Sequence, residues 1–127
     1  MKSILFLFLV YPLTFIQNPI TQIQGKWKLE KIETTHEIII PNKVEYYLSF
    51  QGDNVSYNLD VNRCGPKKCV IENNKISFIN LGCTEICCDG RVDSISKYLN
   101  YNGSYELTDS TLTIKNDTGK FFLKKFK

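Results

Sequence analysis

The sequence contains no alanine and only one histidine among its 127 residues. Alanine has the highest intrinsic helix propensity, and the chain instead uses many Ile, Thr, Tyr, Phe and Val residues, so the composition favours strands over a helical bundle. The length allows one domain and excludes a two-domain enzyme, an α/β barrel and a long repeat array. A hydrophobic share of 43% and a charged share of 23% are typical of a globular protein.

Motifs for catalysis and phosphate binding are also missing. The single histidine, His36, lies in a predicted surface connection, and no nucleophile motif accompanies it. The sequence has no glycine-rich phosphate loop, and its aspartates are spread over predicted turns and a helix cap rather than paired. We therefore expect no enzymatic activity, no cofactor and no bound metal.

The charge balance is weakly basic, with a formal net charge of +3 at pH 7. Such a balance predicts no nucleic-acid partner and no strong attraction to anionic membranes. The C-terminal lysines Lys124, Lys125 and Lys127 are compatible with a small phosphate-binding patch, but lysines commonly protect the edge strand of a sheet, and we expect that role here. No particular partner is indicated, and a monomer is expected.

The N terminus has the layout of a secretory signal peptide. One lysine, Lys2, precedes a largely apolar stretch from Ile4 to Ile16, and polar residues follow. This stretch, interrupted by Pro12, is too short to span a bilayer, which needs about twenty residues.

We therefore expect a signal peptide over residues 1–22, with cleavage between Ile16 and Gln24. A single domain over residues 23–127 is expected to follow. It would be exported, periplasmic or secreted, without a stable membrane anchor after cleavage.

Beyond the leader, apolar and polar residues alternate in short segments, which is typical of half-buried strands. Predicted turns at Gln51–Asn54, Gly65–Lys68 and Asn73–Asn74 separate the first of these strands, and two further turns follow near the C terminus. Short turns make neighbouring strands antiparallel. The segment Ile38–Ile40 is predicted to be a short strand or a buried loop.

The spacing of apolar residues changes from that of a strand to that of a helix near residues 89–99, where Val92, Ile95 and Leu99 share one face of a predicted helix. Asp89 is a suitable N-cap for this helix. The fold class is therefore α+β and mostly antiparallel β: a curved sheet or partly open barrel of about seven or eight strands with one helix. The predicted core consists of Trp27, Leu48, Phe50, Leu59, Phe78, Val92, Ile95, Leu99, Leu112 and Ile114.

Five cysteines lie close together in the sequence, at positions 64, 69, 83, 87 and 88. In an exported chain the first interpretation is disulfide bonding, and an odd number leaves one thiol unpaired. Cys64 and Cys69 flank a predicted turn and could pair across a hairpin. The alternatives are a zinc site of four thiolates and a reactive thiol cluster at Cys83, Cys87 and Cys88.

The chain resembles the META domain, the family of HslJ-like heat-shock envelope proteins. The motifs that carry this resemblance are Gly25-Lys26-Trp27 on the first strand and the segment from Gly82 to Cys88, in which Thr84 and Cys88 fit the family's Thr-x-x-x-Cys element. The resemblance covers the whole domain. It implies a non-catalytic envelope or secreted protein linked to stress tolerance. A small lipocalin-like barrel is the alternative.

The family pattern implies a long-range disulfide from the Cys83–Cys88 segment to the Cys64–Cys69 segment. Purely local pairs, Cys64 with Cys69 and Cys83 with Cys87 or Cys88, are the competing arrangement. Three functions remain open: non-enzymatic binding or structural support outside the cytoplasm, thiol-dependent redox or metal handling through the Cys83–Cys88 cluster, and binding of a small ligand in a lipocalin-like barrel.

Overall fold

The structure is a computed structural model that describes residues 19–59, 62–79, 82, 83, 95 and 98–127. Its elements follow one another as α1 (Pro19–Ile23), β1 (Gly25–Glu33), β2 (Ile38–Ile39), β3 (Tyr47–Gln51), β4 (Asn54–Leu59), β5 (Asn62–Glu72), β6 (Lys75–Ile79), β7 (Gly103–Leu107), β8 (Thr111–Lys115) and β9 (Lys120–Phe126).

Eight of these strands, all except β2, form a closed barrel in which every neighbouring pair is antiparallel. The barrel closes where β1 pairs with β9, from Lys26 opposite Phe126 to Glu33 opposite Lys120. This architecture confirms the predicted, mostly antiparallel β class. The barrel is closed rather than partly open, because the first and last strands lie side by side.

The closure shows that the predicted role of the C-terminal lysines, protection of a free edge strand, was wrong. The C-terminal strand β9 is hydrogen-bonded to β1 on one side and to β8 on the other, so it has no free edge to protect. In addition, Lys125 points inward, and its ammonium lies 4.7 Å from the centroid of the Trp27 ring. The C-terminal lysines therefore do not serve an edge strand.

Turn chemistry explains most of the hairpins. Asn73 and Asn74 both have positive φ angles, 51° and 60°, which is the conformation that a tight two-residue hairpin requires. Asparagine tolerates this conformation better than most residues do. The predicted turns at Gln51–Asn54 and Asn73–Asn74 are confirmed.

The predicted turn at Gly65–Lys68 is wrong, because these residues lie inside the long strand β5. The register between β4 and β5 shifts there, with Tyr57 opposite Cys64 and Val55 opposite Lys67. Gly65 has a φ of +103°, and a Cβ atom at this position would lie 2.5 Å from the carbonyl oxygen of Val55. The glycine therefore permits a β-bulge rather than a chain reversal.

The two ends of the barrel differ. Short turns join β3 to β4, β5 to β6 and β7 to β8 at one end. At the other end β1 and β6 finish and β3 and β7 begin, and the long connections over residues 34–46 and 80–102 start and finish there. Helix α1 packs at the short-turn end, which we call the closed end. The Gln24 side-chain amide donates to the Gly52 carbonyl at 2.8 Å and accepts from the Gly52 amide at 2.7 Å.

Apolar side chains line the barrel interior and form the core. Of the predicted core residues, seven are buried, and Leu59 and Leu99 are half-buried against them. Val92 lies outside the described residues, as does most of the predicted helix over 89–99. Ile38 and Ile39 form the short strand β2, but Ile38 is 61% exposed, so the segment is not buried. The seven buried residues are Trp27, Leu48, Phe50, Phe78, Ile95, Leu112 and Ile114.

Candidate functional site

An aromatic cluster occupies the barrel interior toward the end with the long connections. Tyr101, which precedes β7, packs its ring against Tyr57, Phe78 and Phe121 from three different strands. The ring centroids lie 5.2 Å, 6.3 Å and 5.6 Å from that of Tyr101, distances at which aromatic rings attract each other edge to face or tilted. We call these four residues the Tyr101 cluster.

Asparagine side chains hold the backbone on both sides of Tyr101. The Asn116 amide donates to the carbonyl oxygens of Asn100 at 2.7 Å and Asn102 at 2.9 Å. The Asn102 side-chain oxygen accepts from the Phe78 backbone amide at 2.7 Å. Because these bonds fix the chain before and after Tyr101, its ring is directed into the barrel by a rigid frame.

Gly103, the next residue in the chain, allows β7 to approach β8 closely. A Cβ atom at Gly103 would lie only 2.3 Å from the carbonyl oxygen of Lys115. The frame around Tyr101 therefore needs both the asparagines and this glycine.

The Tyr101 hydroxyl is buried and has no hydrogen-bond partner among the described residues. The residue as a whole is 1% exposed. Buried polar groups in folded proteins are nearly always hydrogen-bonded, and one left unpaired costs about 1–3 kcal/mol. This hydroxyl is therefore an available donor and acceptor inside the barrel.

The electrostatics of the interior favour neutral groups. Burial raises the pKa of Tyr101 strongly, and the nearby hydroxyls of Tyr57 and Tyr46 raise it further. Burial also raises the pKa of Tyr57. Every described side chain that is buried is aliphatic, aromatic or a cysteine. The one charged group that points inward in the described part of the chain is the half-buried Lys125, whose ammonium lies over the Trp27 ring at the closed end, away from Tyr101.

The cysteines do not form the predicted hairpin pair. Cys64 is bonded to Cys83, 19 positions later, and their Cα atoms are 4.1 Å apart. The disulfide joins the two cysteine segments, as the family pattern implied, and attaches the long connection over 80–102 to β5. The local pairing of Cys64 with Cys69 is wrong, because both residues lie on the same strand.

Cys69 is a buried free thiol. Burial raises its pKa to about 11, and the charge of Asp53 raises it as well. At neutral pH the thiol is therefore protonated and a poor nucleophile. Cys87 and Cys88 lie outside the described residues.

A metal site is not formed by the residues that the structure describes. Within them, no three His, Cys, Asp or Glu side chains come together in a metal-binding arrangement. His36 is exposed in the connection between β1 and β2.

Little in the sequence indicates Tyr101 as a site residue. It lies between two asparagines after the predicted helix, so no alternating pattern marks it as buried. Its neighbour Asn102 stands before a glycine, which is typical of a turn. The pattern that could have indicated Tyr101 is the pair of asparagines on either side of it, since asparagine side chains often form hydrogen bonds with backbone groups of irregular segments.

No family model matches the chain, and neither a curated protein nor a solved structure matches it. The resemblance to the META domain thus depends on the motifs quoted above alone.

Proposed function

We propose that this protein is an exported, non-enzymatic β-barrel that binds one small, neutral, largely apolar molecule in its interior. The observation that supports this function is the buried Tyr101 hydroxyl, which has no hydrogen-bond partner among the described residues. A ligand oxygen or nitrogen that accepts from this hydroxyl would satisfy it. Closed barrels of eight strands have an interior that is either filled by side chains or holds one small ligand, as in lipocalins.

The chemistry of the ligand follows from the interior. A carboxylate or ammonium group beside Tyr101 would lose its hydration without meeting an opposite charge, because the described rings packed there are uncharged and the inward Lys125 ammonium lies at the other end, over Trp27. A neutral molecule with an apolar body and one hydrogen-bond acceptor avoids this cost. Its body would pack against aliphatic and aromatic side chains, and its acceptor would meet the tip of Tyr101.

Export is supported by the leader and by the disulfide. Disulfides such as Cys64–Cys83 persist in oxidising compartments and are rare in the cytosol. Within the described residues, no helix has the length and apolar character needed to cross a membrane.

Helix α1 refines the proposed cleavage site. The Trp27 indole nitrogen donates to the Ile23 carbonyl at 2.8 Å, and Lys125 donates to the Gln24 carbonyl. Because Ile23 is also buried in the core, α1 belongs to the folded domain. We therefore place cleavage before Pro19, inside the range predicted from the sequence but earlier than residue 22.

A thiol-dependent function has less support. Cys64 and Cys83 are bonded to each other, and Cys69 is buried with a raised pKa, so three of the five cysteines are poor candidates for redox chemistry. A stress-related role, which the META resemblance implied, stays a proposal.

The proposed function can be tested by titration with Nile red, a neutral, apolar fluorophore that carries a carbonyl acceptor. We expect saturable binding at one site. Tyr101→Phe removes only the hydroxyl and should weaken binding about three- to tenfold, the value of one hydrogen bond of roughly 0.5–1.5 kcal/mol.

The matched control is Tyr47→Phe. Tyr47 lies on the outer surface, where its hydroxyl donates to Glu45 at 2.5 Å. This variant should bind the dye as the unchanged protein does. Absence of saturable binding, or equal weakening by both variants, would contradict the proposed function.

A further inference from the structure

The outer surface of the barrel where β1 pairs with β9 carries an unusual row of side chains. Along this pairing the inward apolar residues are buried, and the outward residues stand opposite each other in pairs: Lys26 with Phe126, Lys28 with Lys124, and Lys31 with Phe122. One more outward pair follows, Glu33 with Lys120. We call these eight residues the β1–β9 face.

The β1–β9 face is basic: its eight residues include five lysines and one glutamate, a net charge of +4, whereas the whole chain has a net charge of +3. The chain outside these eight residues is thus slightly negative. Two further carboxylates border the face, the exposed Glu30 in the β-bulge of β1 and Glu45 beside Lys28, so five lysines stand against three glutamates on this surface. The small net charge of the sequence does not reveal this uneven distribution of charge, because it sums one basic surface with the rest of the molecule.

Two lysines are placed directly opposite each other. Lys28 and Lys124 form a cross-strand pair, and like charges in this position destabilise a sheet. Lys28 is 3.5 Å from the exposed Glu45 carboxylate, an ion pair of little strength in water. Lys124 forms no ion pair within the described part of the chain, so the repulsion is only partly compensated there.

Aromatic rings lie between the lysines. The Lys26 ammonium is 4.0 Å from the ring centroid of Tyr47 and 5.3 Å from that of Phe126, which is 46% exposed. Phe122 is within 5.1 Å of the Lys120 ammonium and 4.6 Å of the Lys31 ammonium. Basic and aromatic side chains together are typical of surfaces that contact the headgroup region of a membrane.

The closed barrel removes the ordinary explanation for these lysines. Lysines protect free sheet edges, but both strands of this face are paired on each side. A function in recognition of an anion remains. Since the positive charge is spread over a sheet face with exposed aromatic rings, the complementary partner is a surface rather than a single ion.

We propose that the β1–β9 face is a docking surface for an anionic lipid bilayer. The lysine ammoniums contact the lipid phosphates, and Phe126 enters the headgroup region. A phosphate between Lys28 and Lys124 neutralises the repulsion between them. This function is independent of the proposed ligand site, which lies inside the barrel.

The test is co-sedimentation of the mature protein with vesicles of phosphatidylcholine, with and without about one quarter of phosphatidylglycerol. We expect binding only to the anionic vesicles, and weaker binding as salt is raised. The double variant Lys28→Gln with Lys124→Gln should bind roughly 30-fold more weakly, since each lysine near an anionic surface contributes about fivefold.

Two control variants make the test specific. Lys68→Gln with Lys75→Gln removes the same charge from exposed positions on β5 and β6, across the barrel, and should leave vesicle binding unchanged. Lys28→Arg with Lys124→Arg keeps the charge and should keep the binding. Circular dichroism of each variant verifies folding.

Three results would overturn the proposal. The first is equal binding to neutral and anionic vesicles. The second is equal loss of binding in the two Gln double variants. The third is binding to soluble polyphosphate without binding to vesicles, which would identify a soluble polyanion as the partner.

Discussion

Trp27 is the residue on which the closed end of the barrel depends most. Its side chain is fully buried, and its indole nitrogen donates to the Ile23 carbonyl at the end of α1. The Lys125 ammonium lies over the ring and donates to the neighbouring Gln24 carbonyl. Trp27→Ala therefore removes a large core side chain and also breaks the link between α1, β1 and β9.

The expected loss of unfolding free energy for Trp27→Ala is about 3–5 kcal/mol, the usual range for a buried large aromatic. Such a loss is a large fraction of the roughly 5–15 kcal/mol that stabilises a domain of this size. Each kcal/mol corresponds to a fall of roughly 4–8 °C in Tm for a small domain. The variant should thus melt far below the unchanged protein or fail to fold.

Urea unfolding followed by far-ultraviolet circular dichroism measures this loss without needing the tryptophan. A milder pair of variants, Trp27→Leu and Lys125→Met, removes the ring and the ammonium in turn while keeping an apolar side chain at each position. Their double-mutant cycle should show a favourable coupling of about 0.5–2 kcal/mol, the range of cation–π contacts. A loss below about 1 kcal/mol for Trp27→Ala would refute the role of Trp27 as a core anchor, and no coupling would refute the contribution of the Lys125 contact.

Three further predictions concern the disulfide, the free thiol and the N terminus. Replacing Cys64 and Cys83 together by alanine should lower the unfolding free energy by about 3 kcal/mol, because the unfolded chain gains the entropy that the disulfide had removed. Urea unfolding measures this loss, and a loss near zero would contradict the stabilising role of the disulfide. Cys69 should resist iodoacetamide in the native protein at pH 8. It should become reactive only when the protein unfolds or when the pH approaches its raised pKa of about 11. Peptide mapping that finds Cys69 alkylated in the native protein at pH 8 would disprove its burial. Mass spectrometry of the exported protein should find its first residue at Gln17, Asn18 or Pro19, and a start at Gly25 would show that α1 is not part of the mature domain.

Local patterns predicted much of the fold. On β3, alternation placed Leu48 and Phe50 toward the core, and both are buried. The asparagine pair at 73–74 marked its hairpin because its residue type suits positive φ. These signals were readable because they depend only on neighbours in the chain.

Long-range features could not be predicted in the same way. The closure of β1 on β9 joins residues about a hundred positions apart, and nothing in either strand alone indicates its partner. The inward position of Lys125 follows from that closure, since its ammonium finds the Trp27 ring only when the two strands meet. The Gly65 bulge was mistaken for a turn because glycine serves both structures.

The candidate site illustrates the same limit. Tyr101 lies in an irregular connection, and its burial depends on contacts with side chains from β4, β6 and β9. The basic face was hidden for a related reason, because a net charge carries no information on where the charges lie. Both features appear only once the barrel brings distant strands together.

The most direct test of the ligand site is the free energy of unfolding of Tyr101→Phe compared with the unchanged protein, with and without saturating Nile red. Without the dye, removal of an unpaired buried hydroxyl should leave the variant as stable as the unchanged protein or up to about 1–3 kcal/mol more stable. With the dye, the unchanged protein should gain more stability than the variant, because the ligand binds it more tightly. A variant that is less stable without the dye and gains equally with it would show that the hydroxyl serves the fold rather than a ligand.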